Sequence, residues 1–89
     1  MRAVISVVGK DGVGIIAKVA TRCADASVNI VDISQTLMQG IFTMTMLVDL
    51  AHICCEYQKF VSEMERFGEL EGLKVHVMHE DIFNSMHTI

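Results

Sequence analysis

The residues best suited to chemistry form a glycine-rich segment, GKDGVG at positions 9–14, between an apolar run and an amphipathic one. Three glycines within six positions predict a tight loop. A loop that opens a helix presents backbone N–H groups without partners beside the positive end of the helix dipole, which suits a carboxylate or another anion. The segment is not a P-loop, because Val4 stands where that motif needs its first glycine, and Asp11 where it needs Ser or Thr.

A second polar position, Asn29, follows the predicted helix and could hold an ammonium group together with Asp11. The two segments would then match both charged ends of an amino acid. A purely structural interpretation stays open beside this one. Asp11 is equally well placed to cap the helix, Gly12 and Gly14 to shape the turn, and Asn29 to complete the turn into the next strand.

The remaining histidines and cysteines do not form a recognisable catalytic or metal site. His52, Cys54 and Cys55 lie together at or before the second predicted helix, but adjacent cysteines do not easily face one ion. We expect one of the pair to face the core and the other solvent, and Cys23 to be buried; an oxidation-sensitive role for the pair is left open. Since no nucleophile, base and orienting group come together, we expect no enzymatic activity, no metal and no cofactor.

Composition limits the classes of protein further. The chain has 89 residues, of which 52% are hydrophobic and 20% charged, and we expect one domain over residues 1–89 with a core at 2–80 and a tail at 81–89. The net charge of -4 and the lack of a basic run argue against direct nucleic-acid binding. No apolar stretch approaches a membrane span or a signal-peptide core, and three cysteines do not suggest a disulfide framework. These features favour a soluble cytoplasmic protein that binds no membrane.

The elements that position these residues follow from hydrophobic periodicity. Alternating or β-branched runs predict strands at residues 3–8, 28–38, 41–50 and 73–79. Apolar residues at three- and four-residue steps predict a helix at about 16–23 and a second at about 53–67. Either Gly68 or Gly72 should end the second helix, and the apolar tail around Phe83 should form one or two docked helical turns.

The second and third strands are predicted to form a hairpin, because only Gln39 and Gly40 separate them. A two-residue turn fixes the register and puts the apolar residues of both strands on one face. The predicted apolar pairs are Leu37 with Phe42, Ile33 with Met46 and Val31 with Val48, and the polar pairs are Thr36 with Thr43 and Ser34 with Thr45.

The order of elements predicts an α+β fold, the ferredoxin-like βαββαβ sandwich, with two helices on one face of a four-stranded antiparallel sheet and a short C-terminal helical tail. The uncovered face is predicted to carry Ser6, Asp32, Ser34, Thr36, Thr43, Thr45 and His76, with Val4, Val8 and Leu47 among them. An RNA-recognition module is excluded because this face lacks aromatic residues, and a copper-chaperone-like domain because the first loop lacks cysteine. An acylphosphatase is excluded because its arginine and asparagine have no equivalents.

The glycine-rich loop and the sequence Val28-Asn29-Ile30 resemble the ACT domain, a small-molecule-binding regulatory module of amino-acid metabolism. The likeness covers nearly the whole chain, to about residue 80, and is closest to stand-alone ACT proteins and to glycine-cleavage-repressor-like regulators. Val13 stands where the family usually has a proline.

The resemblance implies a regulatory homodimer that binds an amino acid or similar metabolite at an interface between two domains and acts on a separate effector protein. The alternative is a ligand-free interaction module that docks on a metabolic enzyme or regulator. The ligand-binding residues that the resemblance and the loop chemistry together predict are Lys10, Asp11, Gly12, Val13, Gly14, Asn29, Ile30 and Asp32.

Overall fold

A computed structural model describes residues 1–10 and 14–86. Its helices and strands follow one another in the order that the sequence pattern predicts. The elements are β1 (Arg2–Gly9), α1 (Ile15–Asp25), β2 (Asn29–Met38), β3 (Ile41–Asp49), α2 (Tyr57–Glu71), β4 (Lys74–His79) and α3 (Glu80–Met86). The strands form one sheet in the order β2-β3-β1-β4, in which every neighbouring pair is antiparallel. The predicted ferredoxin-like fold is therefore confirmed.

The hydrophobic core lies between one face of the sheet and the first two helices. Alternate residues of β1 and β3 point into it, so that strand periodicity selects which side chains are buried. Helix α1 contributes Ile15, Val19 and Cys23, and α2 contributes Phe60, Met64 and Phe67. Met44, Met46 and Met64 are almost completely buried, which fits the use of methionine to fill irregular space in a core.

Glycines set the helix boundaries at two positions. Gly14 precedes α1 with a φ of 73°, and Gly72 ends α2 with the same left-handed value. Of the two glycines that could end the second helix, Gly72 does so and Gly68 lies within the helix. Helix α2 begins at Tyr57 rather than near Ile53, because a turn lies there, in which Ile53 donates its N–H to the Leu50 carbonyl. Asp11, which the sequence predicts to cap the first helix, lies outside the described residues.

The β2–β3 hairpin keeps the predicted turn and four of the five predicted pairs. Gln39 and Gly40 both have positive φ, as a two-residue type I′ turn requires. The pairing of Val31 with Val48 is wrong, because Ile30 occupies the place opposite Val48 and the ladder shifts between Ile30 and Asp32. Val31 is the extra residue of this β-bulge and is 48% exposed.

Strand β2 is less covered than its pattern suggests. Ile33 and Leu37 lie on the helix side of the sheet by their pairing with β3, yet they are 37% and 69% exposed. The reason is position: β2 is an edge strand, and the core is centred on β1 and β3. Alternation predicts which face a residue occupies, but it does not predict whether a helix reaches that far.

The opposite face of the sheet is partly closed by the C-terminal element. Val4 points away from α1 and α2, yet it is only 3% exposed, so its predicted place on an uncovered face is wrong. Helix α3 contacts β1 and β4 beside it, and an ion pair of 2.8 Å joins Arg2 Nε to Glu80 Oε2. The predicted docking of the tail is confirmed for α3.

Candidate functional site

The described part of the glycine-rich loop ends at the N-terminus of α1. Gly14 is exposed, and its left-handed φ is reached without strain only by glycine. The Gly14 carbonyl accepts the N–H of Lys18, which begins the regular helical bonding. The N–H groups of Ile15, Ile16 and Ala17 lie in the first turn of α1, where the helix itself offers no carbonyl partner. This is the geometry of an anion-binding helix N-terminus.

Of the other loop residues, only Gly9 and Lys10 belong to the part of the chain that the structure describes. Lys10 follows β1 directly and is exposed, so its charge lies at the same end of the sheet as Gly14. Asp11, Gly12 and Val13 lie outside the described residues. A lysine side chain and a helix N-terminus each attract a carboxylate.

The second half of the predicted site lies at the other end of the sheet. Asn29 is the exposed first residue of β2 and pairs with Asp49, which in turn pairs with Arg2 at the start of β1. Gly9, at the end of β1, pairs with Phe42 beside the hairpin turn. Since β1 has eight residues that rise about 3.3 Å each, its two ends lie roughly 23 Å apart.

One chain therefore does not bring Asn29 to the glycine-rich loop. The cause is α1, whose 11 residues carry the chain from the loop back to the opposite end of the sheet. Only 15 positions separate Gly14 from Asn29 in sequence, but the helix occupies most of them. The helix length in the sequence pattern was the signal that could have revealed this separation.

The last two predicted residues follow Asn29 along β2. Ile30 is half-buried and packs against the core. Asp32 lies after the bulge, on the sheet face away from α1 and α2, and its Oδ1 accepts the N–H of Ile33 at 2.9 Å. The Asp32 carboxylate is therefore hydrogen-bonded to the backbone of its own strand. It lies on the opposite side of the sheet from the helical layer that begins at Gly14.

The structure also contains a cleft that sequence patterns did not indicate. It has a volume of about 310 Å³ and lies between the end of α1 and the start of α2, and we call it the helix cleft. Its lining includes Arg22, Asp25, Cys54, Cys55, Lys59 and Glu63. The charged residues lie on the solvent side of two amphipathic helices, where the sequence alone suggests ordinary solvated groups.

The three cysteines are free and differ in environment. Cys23 is fully buried, and burial raises the pKa of its thiol to about 11. Cys54 is exposed, whereas Cys55 is half-buried and packs against the core, as predicted for the pair. Among residues 1–10 and 14–86, no group of three His, Cys, Asp or Glu side chains is arranged to hold a metal ion.

Comparison with known proteins identifies the family. A sequence model described as the ACT domain matches residues 2–78. The chain belongs to the ACT domain family. It is 46% identical to a UPF0237 protein of Listeria innocua over the full length of both chains. It is also 48% identical to a UPF0237 protein of Methanosarcina acetivorans, over 99% of this chain and 96% of that protein.

Solved structures agree with this assignment. An ACT domain protein from Streptococcus pneumoniae superimposes with a TM-score of 0.81 at 35% identity, over 100% of this chain and 97% of that one. A formyltetrahydrofolate deformylase from Pseudomonas syringae contains the same fold, with a TM-score of 0.77 at 21% identity, over 88% of this chain and 27% of the deformylase. In the described part of this ACT protein, no helix is both long and apolar enough to cross a membrane.

Proposed function

We propose that this protein is a cytoplasmic, non-catalytic regulator that binds an amino acid or a similar small metabolite at the interface of a homodimer. Occupancy of the site is read by a separate effector protein. The observation that supports the proposal most strongly is the separation of the two halves of the candidate site within one chain. A second copy of the chain, paired along β2, removes that separation.

Strand β2 has the properties of an edge that pairs with another chain. Among the described strands it pairs only with β3, so its outer edge presents unpaired N–H and C=O groups. Its exposed side chains include Val31, Ile33, Leu37 and Met38, which are 37–69% exposed. Natural edge strands are usually protected by charge, proline or a covering element. A second copy of the same strand satisfies both the backbone groups and the apolar side chains.

The direction of β2 determines what such a dimer brings together. Two copies related by a twofold axis pair β2 with β2 in antiparallel fashion. The first residue of one strand, Asn29, then lies at the end of the other strand, next to Met38 and the hairpin turn. That end of the sheet also carries Lys10 and Gly14. Each of the two equivalent sites at the interface therefore combines the loop of one copy with Asn29 of the partner copy.

The chemistry of the combined site suits an amino acid. The N–H groups at the start of α1 and the Lys10 ammonium attract the carboxylate, and the Asn29 side-chain oxygen accepts a hydrogen bond from the ammonium group. A ligand held between two copies binds the dimer more tightly than the monomer. It therefore shifts the assembly equilibrium and any conformation of the dimer that an effector recognises.

A thermal-shift screen against the common amino acids tests the proposal, with sedimentation run on the same samples. At least one amino acid at millimolar concentration should raise the melting temperature by roughly 4 °C or more, because it binds the folded dimer and not the unfolded chain. Ile33→Lys places a charge at the β2 edge, so this variant should be monomeric and should lose the response.

The matched control is Val8→Lys, which makes the same change at an exposed position of β1, away from the β2 edge. It should stay dimeric and keep the response. If the wild-type chain is a dimer that no amino acid stabilises, the ligand-free docking module is the better function. A wild-type monomer at micromolar concentration would rule out the interface site.

A further inference from the structure

We infer that the thiol of Cys54 is a modification site, at which the helix cleft recognises a small amino-acid disulfide and forms a mixed disulfide with it. The site is at the end of α1, whereas the proposed ligand site is at its start, so the inference does not depend on the proposed function. Three observations support it: the position of the two thiols, the charges of the cleft, and the geometry of adjacent cysteines.

The first observation is that both cysteines line the cleft while only Cys54 is exposed. Cys54 is exposed, and Cys55 is half-buried against the core. The Cys54 thiol donates a hydrogen bond to the Asp25 carbonyl at 3.6 Å, and its backbone N–H donates to the Ala26 carbonyl at 3.0 Å. The backbone bond fixes the position of Cys54 at the cleft, and the weak thiol bond is easily broken by a reacting partner.

The second observation is that the cleft carries both signs of charge around an apolar base. Arg22 and Lys59 are its cations and Asp25 and Glu63 its anions, while Phe60 and Met64 are buried beneath them. A ligand with one carboxylate and one ammonium on a short stem matches this arrangement. The amino-acid disulfide cystine has those groups and also the sulfur with which a thiol reacts.

The exchange reaction balances without any further reagent. The Cys54 thiolate attacks one sulfur of the small disulfide, so that a new S–S bond forms and the original S–S bond breaks. The other half leaves as a thiolate and takes up the proton that Cys54 lost. Cys54 is oxidised and the departing half is reduced.

The third observation explains why the product should persist. A neighbouring thiol usually resolves a mixed disulfide by closing an internal one. Adjacent residues have Cα atoms about 3.8 Å apart, whereas relaxed disulfides need about 4.4–6.8 Å. Ring closure between Cys54 and Cys55 is therefore strained, and the mixed disulfide remains until an external thiol reduces it.

The test is incubation of the full chain with cystine, followed by mass spectrometry of the intact protein and its peptides. The wild-type protein should gain one cysteinyl group on Cys54, which a reducing thiol removes. Cys54→Ser should lose the adduct, and Cys55→Ser should retain it. An adduct mainly on Cys55 would overturn the assignment.

Recognition by the cleft is tested by comparing cystine with the uncharged 2-hydroxyethyl disulfide. The measured quantity is the rate with cystine divided by the rate with 2-hydroxyethyl disulfide. This ratio should be roughly fivefold higher in the folded protein than in urea-unfolded protein, because an exposed charge contact contributes about that much. Lys59→Gln should lower the ratio toward the unfolded value. Lys74→Gln, which removes the same charge outside the cleft, should leave it unchanged. Equal ratios in folded and unfolded protein would overturn the inference, since Cys54 would then be a thiol without a binding site.

Discussion

Cys23 is the titratable residue whose burial has the clearest consequence for stability. Its side chain lies on the inner face of α1 within the core, and burial raises its pKa from 9.0 to about 11. Between these values the unfolded chain loses the thiol proton while the folded chain keeps it. The free energy of unfolding should therefore be unaffected below pH 9 and should fall as the pH rises toward 11, by roughly 3 kcal/mol at most.

Urea unfolding of the wild-type protein and of Cys23→Ala between pH 8 and about 11 measures this effect. The variant should be less stable at pH 8 because it leaves a small cavity, but it should lose less stability as the pH rises. Other groups titrate in the same range, so the difference between the two proteins is the relevant quantity. Parallel pH profiles would show that burial does not hold the Cys23 thiol in its neutral form.

At the scale of elements, most of the fold was predictable because it depends on local periodicity. The alternation of residues 41–50 and the two-residue turn before them determine β3 and its register with most of β2. The bulge at Val31 was not predictable, because one extra residue in an edge strand leaves the apolar pattern nearly regular. The exposure of Leu37 and the burial of Val4 were also missed, since both depend on how far the helices extend over the sheet.

The packing of α2 on β4 depends on the absence of a side chain at Gly68. A Cβ atom there would lie 2.6 Å from Cγ2 of Val75 and 3.2 Å from the Leu73 carbonyl oxygen. Alanine usually stabilises a helix interior by about 1 kcal/mol relative to glycine, but overpacking a core costs about 1–3 kcal/mol. Gly68→Ala should therefore lower the free energy of unfolding, by about 1 kcal/mol.

Denaturant unfolding checks this prediction, and a second substitution shows its cause. Val75→Ala removes the methyl group that the new Cβ would meet, so the double variant should be more stable than the sum of the two single effects. Additive effects would mean that the clash with Val75 is not the cause. A stabilised Gly68→Ala protein would contradict the close packing of α2 on β4.

At the scale of the whole molecule, residue types suggest which residues belong to the candidate site, but they do not reveal its arrangement. Residue types and spacing pointed to Gly14 and Asn29, and both of these residues are exposed in the structure. Their separation by the length of the sheet is a property of the topology. The proposed site therefore needs two chains, each of which supplies one half.

The most direct test of the central claim is a mixed dimer of two defective chains, one with Lys10→Ala and the other with Asn29→Ala. Each homodimer should fail to bind the amino acid that stabilises the wild-type protein, because both of its interface sites carry a defect. In the mixed dimer, one site has both defects and the other has none. Calorimetric titration of the mixed dimer should therefore recover half of the wild-type stoichiometry with wild-type affinity. A mixed dimer that forms but binds nothing would contradict a site shared between the loop of one chain and Asn29 of its partner.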